Sequence, residues 1–171
     1  LGSQGSVVPI FSRQIANGGP VTITSNEMTR FVMSLDDAVE MLLGSVELAS
    51  GGEVFVTKMK AISVRSLVEV MVDKLAPKHG IDPSDIKIEE IGARPGEKYF
   101  EELMTDEEVR RTLELEKYFV IKPALSDMYR IEDCQYPGVL DVSIAKPYTS
   151  DNESLLSNGE LTSYMEEANL I

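Results

Sequence analysis

Apolar residues recur at helical spacing in two places along the chain. Leu35, Ala38, Val39, Leu42, Leu43 and Val46 follow at i, i+3, i+4, i+7, i+8 and i+11, a single stripe behind an N-capping Ser34. Val64, Leu67, Val68, Met71, Val72 and Leu75 repeat that spacing behind Ser63, and Pro77 marks the end. Both stripes are expected to be buried. Residues 6–16 read as a short helix with Ser6 as N-cap and Pro9 in the first turn, stopped by Asn17-Gly18-Gly19-Pro20. Strands are expected at residues 21–24 and 28–33, and at 53–57 after the Gly51-Gly52 turn. Further strands are expected around Ile86, Ile88 and Ile91, and at 118–121 before Pro123. Thr105-Asp106-Glu107-Glu108 is a capping box that predicts a helix to about residue 116, and residues 160–168 predict a last one. Residues 124–160 are turn-rich and poorly periodic. Helix–strand units in succession argue for α/β packing.

Composition narrows the classes. A chain of 171 residues is enough for one ordinary domain with a buried core. Sixteen Lys and Arg against 29 Asp and Glu leave a formal charge of −13, which repels polyphosphate and anionic membranes; no nucleic-acid partner is expected. Charges beyond a Debye length of about 8 Å are screened, so a few local cations can still hold a small anion. No apolar run approaches the roughly 18 residues of a membrane span. Cys134 and His79 are single, so an internal disulfide is excluded and neither a metal site nor a Cys–His pair is expected. The chain opens on Leu1-Gly2-Ser3-Gln4 with no signal-peptide pattern, which reads as the interior of a longer cytoplasmic protein. A severed α/β half is then expected to expose a large apolar patch where its sheet was continued.

The strongest local chemistry is Arg94-Pro95-Gly96-Glu97-Lys98. Proline and glycine fix a tight bend that presents a guanidinium, suited to two phosphate oxygens, beside a carboxylate suited to a vicinal diol. A surface turn with an Arg–Glu ion pair is the competing reading. Arg30 lies in the apolar run Met28-Thr29-Arg30-Phe31-Val32, where a cation must snorkel or find an anion. A salt bridge to one of the carboxylates explains it equally well, although two arginines on one diphosphate would explain both.

Tyr118-Phe119-Val120-Ile121-Lys122 matches Tyr-x-x-x-Lys, but that acid–base pair needs one helical face and this run reads as strand. His79 follows a helix end, where a cation complements the dipole. Cys134 has acidic neighbours that disfavour a thiolate. Neither a Gly-x-Gly-x-x-Gly turn nor a P-loop is present, and no catalytic residue is assigned in this chain.

Ordered blocks carry a resemblance. They are Gly5-Ser6-Val7-Val8-Pro9-Ile10-Phe11, Val21-Thr22-Ile23-Thr24, Met28-Thr29-Arg30-Phe31, Gly52-Glu53-Val54-Phe55-Val56, Ile91-Gly92-Ala93-Arg94-Pro95-Gly96-Glu97-Lys98 and Glu101-Glu102-Leu103-Met104. Over residues 1–123 the chain resembles the C-terminal half of an extended short-chain dehydrogenase/reductase. The nearest group is the inverting UDP-N-acetylglucosamine 4,6-dehydratases and related capsular polysaccharide biosynthesis proteins. Tyr148-Thr149-Ser150-Asp151-Asn152 resembles a segment near the end of those proteins, while residues 124–147 do not align.

The resemblance implies an α/β, Rossmann-like substrate-binding portion whose cofactor half lies upstream. Residues 1–123 would form the nucleotide-sugar-binding part and 124–171 a C-terminal extension. It implies that Arg30 and Arg94 grip the diphosphate of a UDP-sugar and that Glu97 takes the ribose hydroxyls. Val21, Thr22 and Ile23 would lie against uracil, with Ser6, Val7 and Pro9 closing over the nucleotide. NADP or NAD would bind the upstream half, in a full-length protein that is a homo-oligomer. The implied function is the UDP-sugar-binding half of a 4,6-dehydratase, a lyase of surface polysaccharide synthesis. A UDP-N-acetylhexosamine 4-epimerase and a non-catalytic UDP-sugar-binding module are the alternatives.

Overall fold

Helix α1 (Val7–Ala16) opens the part of the chain that the computed structural model describes, which comprises residues 7–93, 95–125, 136–141, 144 and 146–171. It buries Val8, Phe11 and Ile15, spaced for one helical face. The chain turns through Gly18 and Gly19 into β1 (Val21–Ile23), which pairs in parallel with β5 (Ile88–Glu90). β2 (Thr29–Val32) and β4 (Lys60–Ser63) form an antiparallel pair that sets Arg30 opposite Ile62. Helix α3 (Val64–Leu75) follows β4 directly, with the Ser63 hydroxyl accepting from the Ser66 N–H. Its stripe is buried as expected, with Leu67, Val68 and Met71 at most 1% exposed. Helix α5 (Asn158–Glu167), capped by Ser157 and Glu160, packs Leu161 and Met165 into the same core.

A second body of packing is built on the antiparallel sheet of β3 (Val54–Thr57), β8 (Tyr118–Ile121) and β7 (Thr112–Glu114), in the order β3-β8-β7. The central strand β8 is buried at all four positions, as a run of aromatic and β-branched residues allows. β6 (Glu102–Met104) pairs antiparallel with β9 (Tyr148–Thr149), bringing the C-terminal segment onto the molecule. Phe31, Phe119 and Tyr148 meet here, with the rings of Phe31 and Tyr148 stacked at 4.7 Å.

Two expectations are corrected. The capping box at Thr105 forms, but helix α4 (Asp106–Val109) is a single turn that does not reach residue 116. Residues 112–114 are claimed by antiparallel pairing with β8, and this non-local ladder overrides local helical preference. Helix α2 (Leu35–Leu48) also forms, with Ser34 and Asp37 as a complete capping box, but its stripe is not buried. Leu35, Val39, Leu42, Leu43 and Val46 are 50–78% exposed. The helix rests on the sheet through the other side, where Met41 and Leu48 pack and the Tyr118 hydroxyl donates to the Met41 carbonyl at 2.8 Å. A Cβ at Gly44 would meet that hydroxyl at 2.7 Å, so this side is closely seated. Among the described residues nothing covers the apolar side. This exposed apolar face lies on a helix, whereas the expected patch was at a continued sheet.

Among the described residues no helix is long and apolar enough to cross a membrane.

Candidate functional site

A cleft of about 800 Å³ opens where α1, β1, β2 and the start of α3 converge under the loop of residues 95–101. Val7, Ile10 and Phe11 of α1 form one wall, and Thr22, Ile23 and Thr24 run along another. Arg30 and Phe31 of β2 face Pro95, Gly96, Glu97 and Glu101 of the loop. Gly96 takes φ of +85°, a conformation that glycine adopts at little cost, and so makes the bend beside Pro95.

The base of the cleft is preset. β1 is held by β5 on one edge, with the Val21 N–H on the Lys87 carbonyl at 2.8 Å and the Ile91 N–H on the Ile23 carbonyl at 2.9 Å. At its other edge Gln14 of α1 accepts from the Thr22 N–H at 3.2 Å and donates to the Thr22 hydroxyl at 2.8 Å. Thr24, two residues on, donates to Glu97 Oε1 at 2.8 Å and so fixes that carboxylate across the cleft.

Arg30 is a latch in this structure. Its Nη1 donates to the carbonyls of Thr29 at 2.7 Å and Tyr99 at 3.3 Å, and its Nη2 to that of Lys98 at 2.9 Å. Three of the five guanidinium N–H groups are thereby used. The Nε–H and one on Nη2 are left, and the Glu101 carboxylate stands 4.0 Å from Nε. Glu101 also accepts from the Phe31 N–H at 2.7 Å, and the Thr29 N–H donates to the Tyr99 carbonyl at 2.9 Å. The loop is thus stitched to β2 from both backbone and side chain. Electrostatically, the described lining sets the single cation Arg30 against Glu97 and Glu101, so holding a dianion here requires further positive charge.

Of the residues singled out from sequence, Val7, Thr22, Ile23, Arg30 and Glu97 line this one cleft. Val21 does not: it is fully buried in the core beneath β1. Pro9 is exposed on α1, away from the lining. Ser6 and Arg94 lie outside the described residues, as does Cys134. The sequence reading missed Gln14, Thr24 and Glu101. Alternation along β1 puts Thr24 on the side of Thr22, so its place was available from period two alone. Gln14 and Glu101 act through contacts that no local pattern announces. No group of three or more His, Cys, Asp or Glu among the described residues is arranged to hold a metal.

Comparison with known proteins bears on this geometry. The profile of the family described as polysaccharide biosynthesis protein matches residues 1–123, which contain every described residue of the cleft. The chain belongs to the polysaccharide biosynthesis protein family. Within the matched region this family member is 49% identical over 123 residues to an uncharacterized membrane protein of Methanocaldococcus jannaschii, covering 72% of this chain and 37% of that one. It is 42% identical over 120 residues to the capsular polysaccharide biosynthesis protein CapD of Staphylococcus aureus, covering 70% of this chain and 19% of CapD. The UDP-glucose 4-epimerase of Rickettsia rickettsii is 34% identical over 165 residues, covering 94% of this chain and 45% of the epimerase. The solved structure of Pen from Bacillus thuringiensis superposes with a TM-score of 0.83 at 36% identity, covering all of this chain and 48% of Pen. The family member therefore spans between a fifth and a half of the length of these relatives, and has the mixed α/β fold of part of a longer protein.

The extended short-chain dehydrogenase/reductase resemblance implies NAD(P), and the described residues do not fit it. β1 runs into the bend at residues 24–27, and α3 starts directly from the antiparallel strand β4. Neither is the strand, glycine-rich turn and helix on which a dinucleotide pyrophosphate sits.

Proposed function

We propose that this chain is the UDP-sugar-binding portion of a nucleotide-sugar 4,6-dehydratase of surface polysaccharide synthesis, acting on a UDP-N-acetylglucosamine-type substrate in the cytoplasm. The observation that carries the reading is the cleft itself. It sets the pinned carboxylate of Glu97, the polar face of Thr22 and Thr24, and the Arg30 guanidinium around one volume large enough for a nucleotide. In this reading the base lies along β1, Glu97 accepts from the ribose hydroxyls, and Arg30 meets the diphosphate with its two remaining N–H groups. Arg94, in the same Arg-Pro-Gly-Glu loop, supplies the second cation that the lining calls for.

The residues of this chain bind and orient; the hydride and proton chemistry belongs to a partner half that holds NAD(P). That partner gives the exposed stripe of α2 an occupant. These relatives are about twice as long as this chain or longer, so they contain additional polypeptide. Asp36 and Glu47 stand exposed beside the stripe, while Glu40 is paired with Lys117, and a second copy would bring Asp36 and Glu47 against acids of their own kind. The full-length homo-oligomer would then assemble through other faces.

The 4-epimerase reading is favoured by one observation: the relatives named UDP-glucose 4-epimerase match 94–100% of this chain, tail included, at 33–36% identity. The product separates the two. With UDP-N-acetylglucosamine and NADP, the full-length protein acting as a dehydratase releases a keto product lighter by one water, whereas an epimerase gives an isomer of unchanged mass. Calorimetry on the chain itself tests the shared premise: UDP binds and uridine binds more weakly. Equal affinity for the two would remove the diphosphate assignment.

A further inference from the structure

The C-terminal segment reaches the cleft from behind. Ser150, directly after β9, is completely buried and joins two elements of the wall. Its hydroxyl lies 2.8 Å from Thr29 Oγ1 and accepts from the Glu101 N–H at 2.9 Å, while its own N–H donates to the Glu101 carbonyl at 2.9 Å. Thr29 is the residue before Arg30 and its carbonyl takes an Arg30 Nη1 proton. Glu101 caps the Phe31 N–H and faces Arg30 Nε. Both chain neighbours of the Arg30 head therefore lead to one hydroxyl, which lies 121 residues beyond Thr29 and 49 beyond Glu101.

We infer that Ser150 is a positioning residue of this site. It locks the strand that carries Arg30 to the loop end that carries Glu101, and so sets the wall facing the diphosphate. The inference rests on the reading of the cleft as a nucleotide site. A serine hydroxyl offers one donor and two acceptor positions, which suits it to serve both partners at once. Alanine would leave the Glu101 N–H and the Thr29 hydroxyl unpaired where Thr29 is only 7% exposed, and the two strands would separate to reach water. The nucleoside end has supports of its own: β1 is held by β5 and Gln14, and Glu97, on the same loop as Glu101, is tied across the cleft to Thr24. Ser150 is thus coupled to the diphosphate end and not to the nucleoside end.

That asymmetry gives the test. UDP and uridine affinities are measured by NMR titration for the wild-type protein, Ser150→Ala and Thr29→Val, with folding monitored by circular dichroism. The expected result is a loss of UDP affinity of about threefold to tenfold in both variants, with uridine affinity unchanged. A merely structural role lowers thermal stability without changing the ratio of the two affinities. Folded variants with an unchanged ratio overturn the inference. If Ser150→Ala does not fold, Thr29→Val decides, because it keeps side-chain volume and the Ser150–Glu101 bonds while removing the other hydroxyl. A wild-type protein that binds neither nucleotide overturns the nucleotide reading itself, and the inference with it.

Discussion

Replacing Arg30 by alanine separates its two roles, latch and ligand. The substitution removes the bonds to the Lys98 carbonyl at 2.9 Å and the Tyr99 carbonyl at 3.3 Å, which hold the loop of residues 95–101 on β2. A hydrogen bond from a charged donor contributes about 1.5–3 kcal/mol. The Arg30 side chain is 26% exposed, and the Tyr99 carbonyl keeps a second donor in the Thr29 N–H, so the lower part of that range applies. A weakening of about 2 kcal/mol against local opening corresponds to amide exchange faster by about thirtyfold. The reporters are the N–H groups of Thr29 and Phe31, whose acceptors lie across the seam, and of Glu101, whose acceptor is the Ser150 hydroxyl that also meets Thr29. Hydrogen exchange read by mass spectrometry in the absence of ligand measures the latch alone, and UDP titration of the same variant measures latch and ligand together. Arg30→Lys keeps the charge but loses the planar fork, and is expected to fall between wild type and alanine in both. Unchanged exchange at these three amides in Arg30→Ala would refute the latch, whatever happened to UDP binding.

The two amphipathic helices differ in what their stripes cover. Leu67→Ala in α3, where the side chain is 1% exposed, should lower unfolding stability by about 2–5 kcal/mol. Leu43→Ser in α2, 63% exposed, should change the stability of the isolated chain by less than about 0.5 kcal/mol; urea denaturation measures both. Ser34→Ala removes the N-cap of α2 and should cost about 0.5–2 kcal/mol by the same measurement. The Ser34 hydrogen bonds also hold the Asp37 carboxyl below its ordinary value, so the stability it contributes is complete above that value and is lost as pH falls through the lowered one. At the alkaline end, burial first and then the Asp37 carboxylate push Tyr164 up to about 12. Its contribution is complete below the ordinary value of 10.0 and is lost as pH rises towards 12, so Tyr164→Phe should flatten the alkaline arm of the denaturation profile.

What the sequence made legible follows physical reach. Helices α2 and α3 were readable because serine caps and a 3.6-residue period are local, and both start where the caps stand. The fate of their stripes was not local: a period identifies the apolar face and is silent on what packs against it. Local sequence at Thr112–Glu114 continues the helical signal of the Thr105 capping box, and the segment becomes β7 only when β8 lies beside it. The short strands β4, β6 and β9, two to four residues each, carry too few positions to show a period. In the site, residue type pointed to Arg30 and Glu97 as chemistry in need of a partner. The partners the structure supplies, the Lys98 and Tyr99 carbonyls and the Thr24 hydroxyl, lie 68–73 residues away in sequence and follow from the fold alone. Ser150 is the extreme case, a small residue in an unperiodic tail whose place at the seam depends on the pairing of β6 with β9.

The central claim is that the cleft between β1 and the 95–101 loop holds a nucleoside diphosphate. A crystal structure of the protein grown with UDP tests it most directly. The account predicts uracil along residues 22–24, the ribose on Glu97 and the diphosphate against Arg30, with the Lys98 and Tyr99 carbonyls still on the guanidinium. UDP bound elsewhere, or an empty cleft at saturating UDP, would contradict it.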